Sequence, residues 1–426
     1  MSKLSIVIPT YNHLGDCLKP CIETLYRYTD LTDIEIIIVA NGCTDNTREY
    51  VESLGKPFKL LWFDEALGYT KATNEGIKSS SGDFIILLNN DNEFLPQSKN
   101  SWIHMLLHPF AIDPSTGITG VSRIRCKELN DKSLLIFSCV MIKKEVFEKI
   151  GLLDEIFTPG SQEDFDFCIR ALANGYKIFE VPDDILDFVY ETRFPIWHKA
   201  DVTVKEVKNW STIFEKNKQI LKNRYSKLVH VIVPTYDRHE QLKCVLNDLS
   251  KQTYKNIIVH IISDGPDETV QNIVEKIASV SKMNFEYNYI PEHKGGWGAP
   301  CRKHILKKIE DDSYVVFVDD DNSVYPEYIE SLVYAMTEDV GIVYCQIILR
   351  NFSTAEKTVI VPNRDLDNTF LKGEIDSLSF MVRSKIAKQC LDKWDENEYN
   401  HDYEFIKECS KYCKSRFIEK VLGEHA

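Results

Sequence analysis

The stretch "VVFVDDDN", residues 315–322, runs four apolar residues straight into three adjacent carboxylates. A short run of β-branched and aromatic residues reads as a buried strand. Crowding Asp319, Asp320 and Asp321 at its end is unfavourable, because two unit charges about 4 Å apart repel by roughly 4 kcal/mol at an effective dielectric near 20. A hard divalent cation would relieve that repulsion, since Mg²⁺ and Mn²⁺ select carboxylate oxygens. The competing reading is a solvated turn that caps the next helix. The stretch has an earlier echo: "IILLNNDN" at 85–92 precedes it by 230 residues (321 − 91). Two further pairs keep nearly the same spacing. "IVIPTY" (6–11) returns as "VIVPTY" (231–236), an offset of 225 (234 − 9), and "IIIVANG" (36–42) returns as "HIISDG" (260–265), an offset of 223 (264 − 41). Three matched signals at almost one offset identify a tandem duplication.

Within each half, short apolar strands alternate with helical stretches, the α/β pattern of a parallel sheet covered by helices. In the first half the expected strands are 4–8, 34–39, 59–63 and 84–88, with helical patterns at 14–28 and 69–79. The turn "NGCTDNT" supplies Thr and Asp residues suited to starting a helix. Open sheets of this kind bind ligands beyond the carboxyl ends of their strands. Asn41 and Asp91 in the first half, and Asp264 and Asp321 in the second, fall at such ends, so each half should carry its own site. Between the halves, residues 202–227 place Val207, Trp210, Phe214 and Leu221 at helical spacing among Lys and Glu. This predicts an amphipathic connector helix packed on one or both domains, with lysines that also suit an anionic lipid surface.

A chain of 426 residues exceeds one ordinary hydrophobic core, so two domains are expected. The composition, 43% hydrophobic and 27% charged, is that of a soluble globular protein. The formal charge of −14, from 51 basic and 65 acidic side chains, argues against nucleic acid as a partner. Twelve cysteines are scattered without a CxxC pair, which suits reduced thiols in a cytosolic protein. The opening "MSKLSIVIPTYN" meets Pro9 after a short apolar run, and no segment reaches the roughly 18 apolar residues of a membrane span. A cytoplasmic location is therefore expected, with at most peripheral membrane contact at the inner face.

Both halves resemble the inverting family-2 glycosyltransferases with the GT-A fold. In the first half the resemblance rests on Pro9-Thr10-Tyr11-Asn12, "VANGCTDNT", "GYTKATNEGI" (68–77), "LLNNDN" and "GSQEDFDFCIRALANGYKI" (160–178). In the second it rests on "VPTYDR", "ISDGPDE", "GGWGAPCRKHIL" (295–306), the Asp triplet and "YNHDYEFIKEC" (399–409). The implied architecture is two tandem GT-A domains, 1–202 and 228–426, joined by a linker helix at 203–227.

The resemblance also assigns roles. Pro9, Tyr11 and Asn41, then Pro234, Tyr236 and Asp264, would hold the nucleotide base, an Asp accepting the ring N–H of uracil or thymine. Arg302 would neutralise the diphosphate; its counterpart is Thr73, which carries no charge. The acidic strand ends, Asn89 with Asp91 and Asp319, Asp320 with Asp321, resemble the family's DxD motif, where a divalent ion, Mn²⁺ or Mg²⁺, bridges the diphosphate. Asp91 and Asp321 are the candidate metal ligands. His198, and His425 at an offset of 227 (425 − 198), match a late metal-binding His. Asp164, with Glu163 and Asp166 as neighbours, is the candidate general base of the first half, and Asp402 that of the second, where His401 replaces the usual acidic companion. A helix N-cap is the alternative reading of Asp164.

The implied function is a bifunctional transfer from UDP- or dTDP-sugars to an oligosaccharide or lipid-linked acceptor in surface or capsular polysaccharide assembly. Its rival is one catalytic half with a degenerate copy that binds glycan or scaffolds. A nucleotidyltransferase would need a Gly-rich basic loop after the first strand, where this chain has "PTYNHLGD" and "PTYDRHEQ". A dehydrogenase would need a GxGxxG after a strand, and none is present.

Overall fold

The apolar runs singled out in the sequence become strands of two sheets, all of them inner strands except 59–63, which lies at an edge. The computed structural model describes residues 3–129, 131–181, 194–200, 202–350, 358–397 and 400–425, and the chain divides into two compact units, Met1–Lys222 and Asn223–Ala426.

The first unit contains β1 (Leu4–Thr10), β2 (Ile34–Asn41), β3 (Phe58–Phe63), β4 (Phe84–Leu88), β5 (Thr116–Gly120), β6 (Cys139–Lys143) and β7 (Lys177–Glu180). They form one sheet in the order β7-β5-β6-β4-β1-β2-β3. β1 runs parallel between β2 and β4, with Leu4 opposite Ile34 on one side and Phe84 on the other. β6 is antiparallel to both β4 and β5. All seven residues of β1 are buried, as expected of a central strand covered on both faces. Ile6, Ile8, Ile36, Ile38, Ile86 and Leu88 pack with Trp102 and Met141 in one core.

The second unit repeats the plan with β8 (Val229–Thr235), β9 (Ile257–Asp264), β10 (Asn284–Ile290), β11 (Tyr314–Phe317), β12 (Ser323–Val324), β13 (Val340–Arg350), β14 (Thr358–Val361), β15 (Phe380–Arg383) and β16 (Lys414–His425). The order is β10-β9-β8-β11-β15-β13-β16-β12, with β14 on the side of β13. β8 lies parallel between β9 and β11, Val229 opposite Ile257 and Tyr314, and β15 is antiparallel to β11. Both sheets thus share the path third, second, first and fourth strand, followed by an antiparallel strand, which is the duplication expressed as topology. Ile232, Phe317, Tyr344, Phe380, Trp394 and Phe405 lie in the second core.

Two helices depart from their sequence expectation. The stretch 14–28 is a π turn, Leu14–Leu18, running into α1 (Lys19–Tyr28). The His13 carbonyl accepts from Cys17 N at 3.0 Å and Leu18 N at 3.2 Å. Pro20 explains the wide turn: a proline inside a regular helix lacks the N–H and clashes with the carbonyl four residues back. The pattern at 69–79 is α2 (Tyr69–Ser79), and α3 (Glu163–Ala173) follows later in the same unit. The connector is a 3₁₀ turn, Thr203–Glu206, followed by α4 (Trp210–Tyr225). Asn209, with φ 58°, interrupts the expected single helix, a conformation asparagine tolerates better than most residues. Leu221 on α4 is buried and Val207, Trp210 and Phe214 are half-buried. All twelve cysteines are free. Among the described residues no helix is long and apolar enough to cross a membrane.

Candidate active sites

In the second unit the carboxyl ends of β8, β9 and β11 open onto a cavity of about 1000 Å³. Pro234, Tyr236, Asp264, Arg302, Asp319, Asp320, Asp321, Asp402 and His425 all line it, so every residue singled out in this half comes together. Asp264, the last residue of β9, accepts from Lys294 N at 2.8 Å and Gly295 N at 2.7 Å, and lies 2.9 Å from His293 Nδ1. His293 stacks on the exposed Tyr236 ring, with centroids 4.1 Å apart. Between α5 (His239–Ser250) and the Asp triplet stands α6 (Ala299–Leu306), which carries Arg302.

Arg302 is only 1% exposed. Its guanidinium lies 4.8 Å over the Trp394 ring, donates to the Trp297 carbonyl at 2.7 Å and pairs with Asp319. Gly298 makes this possible: a Cβ there would lie 2.8 Å from Pro234 Cγ and 2.9 Å from Arg302 Nη1, and its φ is +82°. Asp320 and Asp321 share the Arg238 guanidinium. Burial raises the Asp319 and Asp320 carboxyls despite these partners.

Asp402 is the second residue of α7 (His401–Cys409). Its Oδ1 accepts from Tyr403 N at 2.8 Å, and burial, then the charge of Asp376, pushes its carboxyl up to about 6. His401 is buried with its ring centroid 5.1 Å from that of Trp394. His425 Nδ1 sits 3.1 Å from Asp376 Oδ2, and that bond holds the imidazole up to about 9 against the effect of burial. His425 therefore meets Asp376 rather than Asp321. Sequence reasoning missed Arg238, His293 and Asp376; the first stood in the quoted "VPTYDR" without a role.

In the first unit Pro9, the penultimate residue of β1, is buried, and Tyr11 follows the strand half-buried. Asn41 Oδ1 accepts from Leu67 N at 2.5 Å, and Asn90 Nδ2 donates to Thr10 Oγ1 at 2.8 Å. Asp91 Oδ1 lies 3.1 Å from His198 Nε2, bringing two candidate metal ligands together. Glu163 and Asp164 open α3, but the N-cap is Gln162, so Asp164 is not the capping residue. Burial pushes the Asp164 carboxyl up to about 6. Burial and then the neighbouring Asp164 charge also hold Glu163 well above the usual carboxylate range. Asp166 instead pairs with Arg170 at 2.7 Å, both buried, a structural role. The Tyr69 phenol donates to the Phe137 carbonyl at 3.2 Å and is raised by burial and then by the charges of Glu163, Asp164 and Asp91, so all three acids act on it electrostatically. Thr73 is buried with no charged group to offer.

The donor set fits a hard cation in the first unit. Asn89 Oδ1 and Asp91 Oδ1 are buried without a well-directed hydrogen bond. The 3.1 Å between Asp91 and His198 suits neighbouring ligands on an ion with bonds of about 2.1 Å. In the second unit the three strand-end carboxylates offer oxygen ligands of the same class.

The family model for glycosyl transferase family 2 matches residues 5–158 and 230–382. An uncharacterized glycosyltransferase of Haemophilus influenzae is 28% identical over 198 residues, 42% of this chain and 66% of that protein. An uncharacterized glycosyltransferase of Rickettsia felis is 22% identical over 397 residues, 79% of this chain and 64% of the relative. This chain thus spans under two thirds of the length of either relative. The solved structure of S. aureus TarS 1-349 in complex with UDP aligns with a TM-score of 0.38 and 21% identity, over 46% of this chain and 60% of that one. With the two matched stretches falling one in each α/β unit, the chain belongs to glycosyl transferase family 2 and carries two GT-A-type domains in tandem.

Proposed function

We propose that each unit binds a UDP- or dTDP-linked sugar and transfers it, with inversion, to a glycan or lipid-linked acceptor. The two transfers would follow one another or alternate, building a surface or capsular polysaccharide at the cytoplasmic face of a membrane. The observation that carries this reading is a buried carboxyl pushed up to about 6 in each unit, Asp164 or Asp402; in the second unit it lines one cavity with the strand-end acids, and in the first its charge and that of Asp91 both act on Tyr69.

An inverting transfer needs one base on the side of the sugar opposite the leaving group. Asp164 or Asp402 takes the proton of the acceptor hydroxyl as its oxygen bonds to the anomeric carbon, while the bond from that carbon to the diphosphate oxygen breaks. A carboxyl that ionises near 6 is charged at neutral pH yet basic enough to accept the proton. Tyr236 and Asp264, and Tyr11 and Asn41, bind the base; Pro9 and Pro234 shape the strand-end loops. Arg302 balances the diphosphate in the second unit. Asp91 and His198 in one unit, and Asp321 with the neighbouring acids in the other, would hold a divalent ion, Mn²⁺ or Mg²⁺, which would supply positive charge to the leaving diphosphate; His425 could join the second set only by giving up its contact with Asp376.

The alternative is a first unit that binds glycan without turnover, favoured by Asn89 and Thr73, which remove charge from that site. The experiment is transfer and hydrolysis from a panel of UDP-, dTDP- and GDP-sugars with Mn²⁺, on wild type and on Asp91→Ala, Asp164→Ala, Asp321→Ala and Asp402→Ala. Two donors consumed, each lost with the variants of one unit only, supports the two-site reading. One donor, indifferent to the variants of the first unit, makes that unit a binding module.

A further inference from the structure

The second site contains Arg238, a cation where the equivalent position of the first unit is His13. Arg238 Nη1 lies 3.2 Å from Asp320 Oδ1 and contacts Asp321 Oδ2 as well. Its side chain is 50% exposed, against 2% for that of Arg302. The difference decides how the two guanidiniums behave. Arg302 is pinned by the Trp394 face, the Trp297 carbonyl and Asp319. Arg238 leaves the loop between β8 and α5 and reaches both carboxylates through one nitrogen, so a modest rotamer change frees it. The oxygen it covers, Asp321 Oδ2, belongs to the candidate metal ligand of this site, and one oxygen lone-pair set cannot serve a guanidinium and a metal at full strength. The position equivalent to Arg238 in the first unit is His13 (238 − 13 = 225, the offset of the flanking motif). His13 turns away to Asp16 at 3.1 Å and Glu206 at 3.0 Å, leaving Asp91 to His198.

We propose that Arg238 is a tethered counter-cation of the second site: it neutralises Asp320 and Asp321 in the free protein, competes with a divalent ion for them, and passes to the diphosphate oxygens of a bound nucleoside diphosphate. The last step rests on the function proposed above; the competition does not. A guanidinium suits both partners, since its planar fork matches carboxylate and phosphate oxygens alike. The two sites then differ in kind: the first takes its ion directly, the second exchanges an internal cation for it.

The test measures Mn²⁺ binding to the full-length chain by the electron paramagnetic resonance signal of free Mn²⁺, in an Asp91→Ala background that weakens the first site. UDP binding is followed by calorimetry on the same samples. Arg238→Gln should bind Mn²⁺ about tenfold more tightly than Arg238, by removal of a competing charge, and should bind UDP in the presence of Mn²⁺ about tenfold more weakly. Arg238→Lys, which keeps a point charge but not the fork, should fall between. Equal or weaker Mn²⁺ affinity in Arg238→Gln, or no Mn²⁺ bound in either protein, overturns the proposal. Tighter Mn²⁺ binding with no UDP bound even by the parent protein supports the competition and overturns the donor reading alone. Since Arg238 is half exposed, its replacement leaves the core intact, and unchanged thermal unfolding is the control.

Discussion

Asp402→Asn isolates what it takes to keep a carboxylate in the second site. Asp402 ionises at about 6 rather than 3.8, because burial and then the Asp376 charge oppose its negative form. A difference of about 2.2 (6 − 3.8) amounts to about 3 kcal/mol at 1.36 kcal/mol per pKa unit, and partial solvent access brings it to about 2 kcal/mol. The sign follows from linkage. Below 3.8 the group is protonated in folded and unfolded chains alike and nothing is lost; as pH rises through the window to about 6 the unfolded chain ionises first, and the folded state forfeits the full amount above it. Asparagine keeps the shape and an acceptor for Tyr403 N without the charge. The variant should therefore be more stable than wild type by about 2 kcal/mol at pH 7.5, with the gain shrinking below about 1 kcal/mol by pH 4.5. Hydrogen exchange of β8 and β11 peptides in the full-length chain reads this for the second unit alone, as about 30-fold slower exchange at pH 7.5 for amides that open only by unfolding. Transfer by that unit should fall by about 10² to 10⁴. A variant no better protected at neutral pH, or protected equally at both pH values, refutes the reasoning.

Asp164→Asn should abolish one transfer and spare the other, and the wild-type rate of that transfer at saturating donor should fall about tenfold per pH unit below about 6; a flat profile down to pH 5 contradicts the assignment. Gly68→Ala should destabilise the first unit by about 2–3 kcal/mol, because φ is +86° and the new Cβ would lie 2.7 Å from Pro159 Cα; denaturant unfolding with wild-type stability contradicts this. Asn217 on α4 is buried and donates from Nδ2 to the carbonyls of Phe157 at 2.8 Å, Gly160 at 2.9 Å and Ser161 at 3.2 Å, fixing the loop that leads into Glu163 and Asp164. Asn217→Asp removes those donors and sets a carboxylate against carbonyl oxygens, so it should lower first-unit kcat by at least about tenfold with donor KM and second-unit transfer unchanged; a wild-type kcat sinks the idea.

What was legible in the sequence is what a repeat makes visible. Strands β1, β2 and β4 and their partners β8, β9 and β11 follow from apolar runs that recur at almost one offset, and the strand-end residues Asn41, Asp91, Asp264 and Asp321 follow from where those runs stop. Motif residues of the second half converge on one cavity because the chain returns to the same sheet edge after each helix. The connector was legible as a helix, but its start was not, because the left-handed Asn209 leaves no mark in hydrophobic spacing. Asn217 escaped notice for a related reason: a polar residue on a helix reads as solvent-facing unless the carbonyls it will meet are known. Asp376 lies between the Asp triplet and α7, in a stretch without a periodic signal, and only the folded chain brings it beside Asp402 and His425.

The places where each half departs from the family pattern look like decay when read one residue at a time, and like exchange when read as charge. At the first strand end only Asp91 is an acid, with Asn89 and Asn90 beside it and Thr73 where the second unit has Arg302. At the second, three carboxylates face two guanidiniums, Arg302 on Asp319 and Arg238 on Asp320 and Asp321. Counting only the strand-end acids and the arginines paired with them, each cluster carries one net negative charge, so the absence of an arginine in the first unit goes with the absence of the acids it would have paired. The bases show the same equivalence. Asp164 reaches about 6 through burial, next to a Glu163 that burial and the Asp164 charge hold well above the usual carboxylate range. Asp402, whose sequence neighbour is His401, reaches about 6 with help from Asp376, 26 residues away (402 − 376). A copy drifting without function has no reason to restore either the net charge or the carboxyl's ionisation once the residues supplying them have changed. That similar charge and similar ionisation arise in the two units from different side chains is what favours, within the function proposed above, two working sites over one site and a remnant.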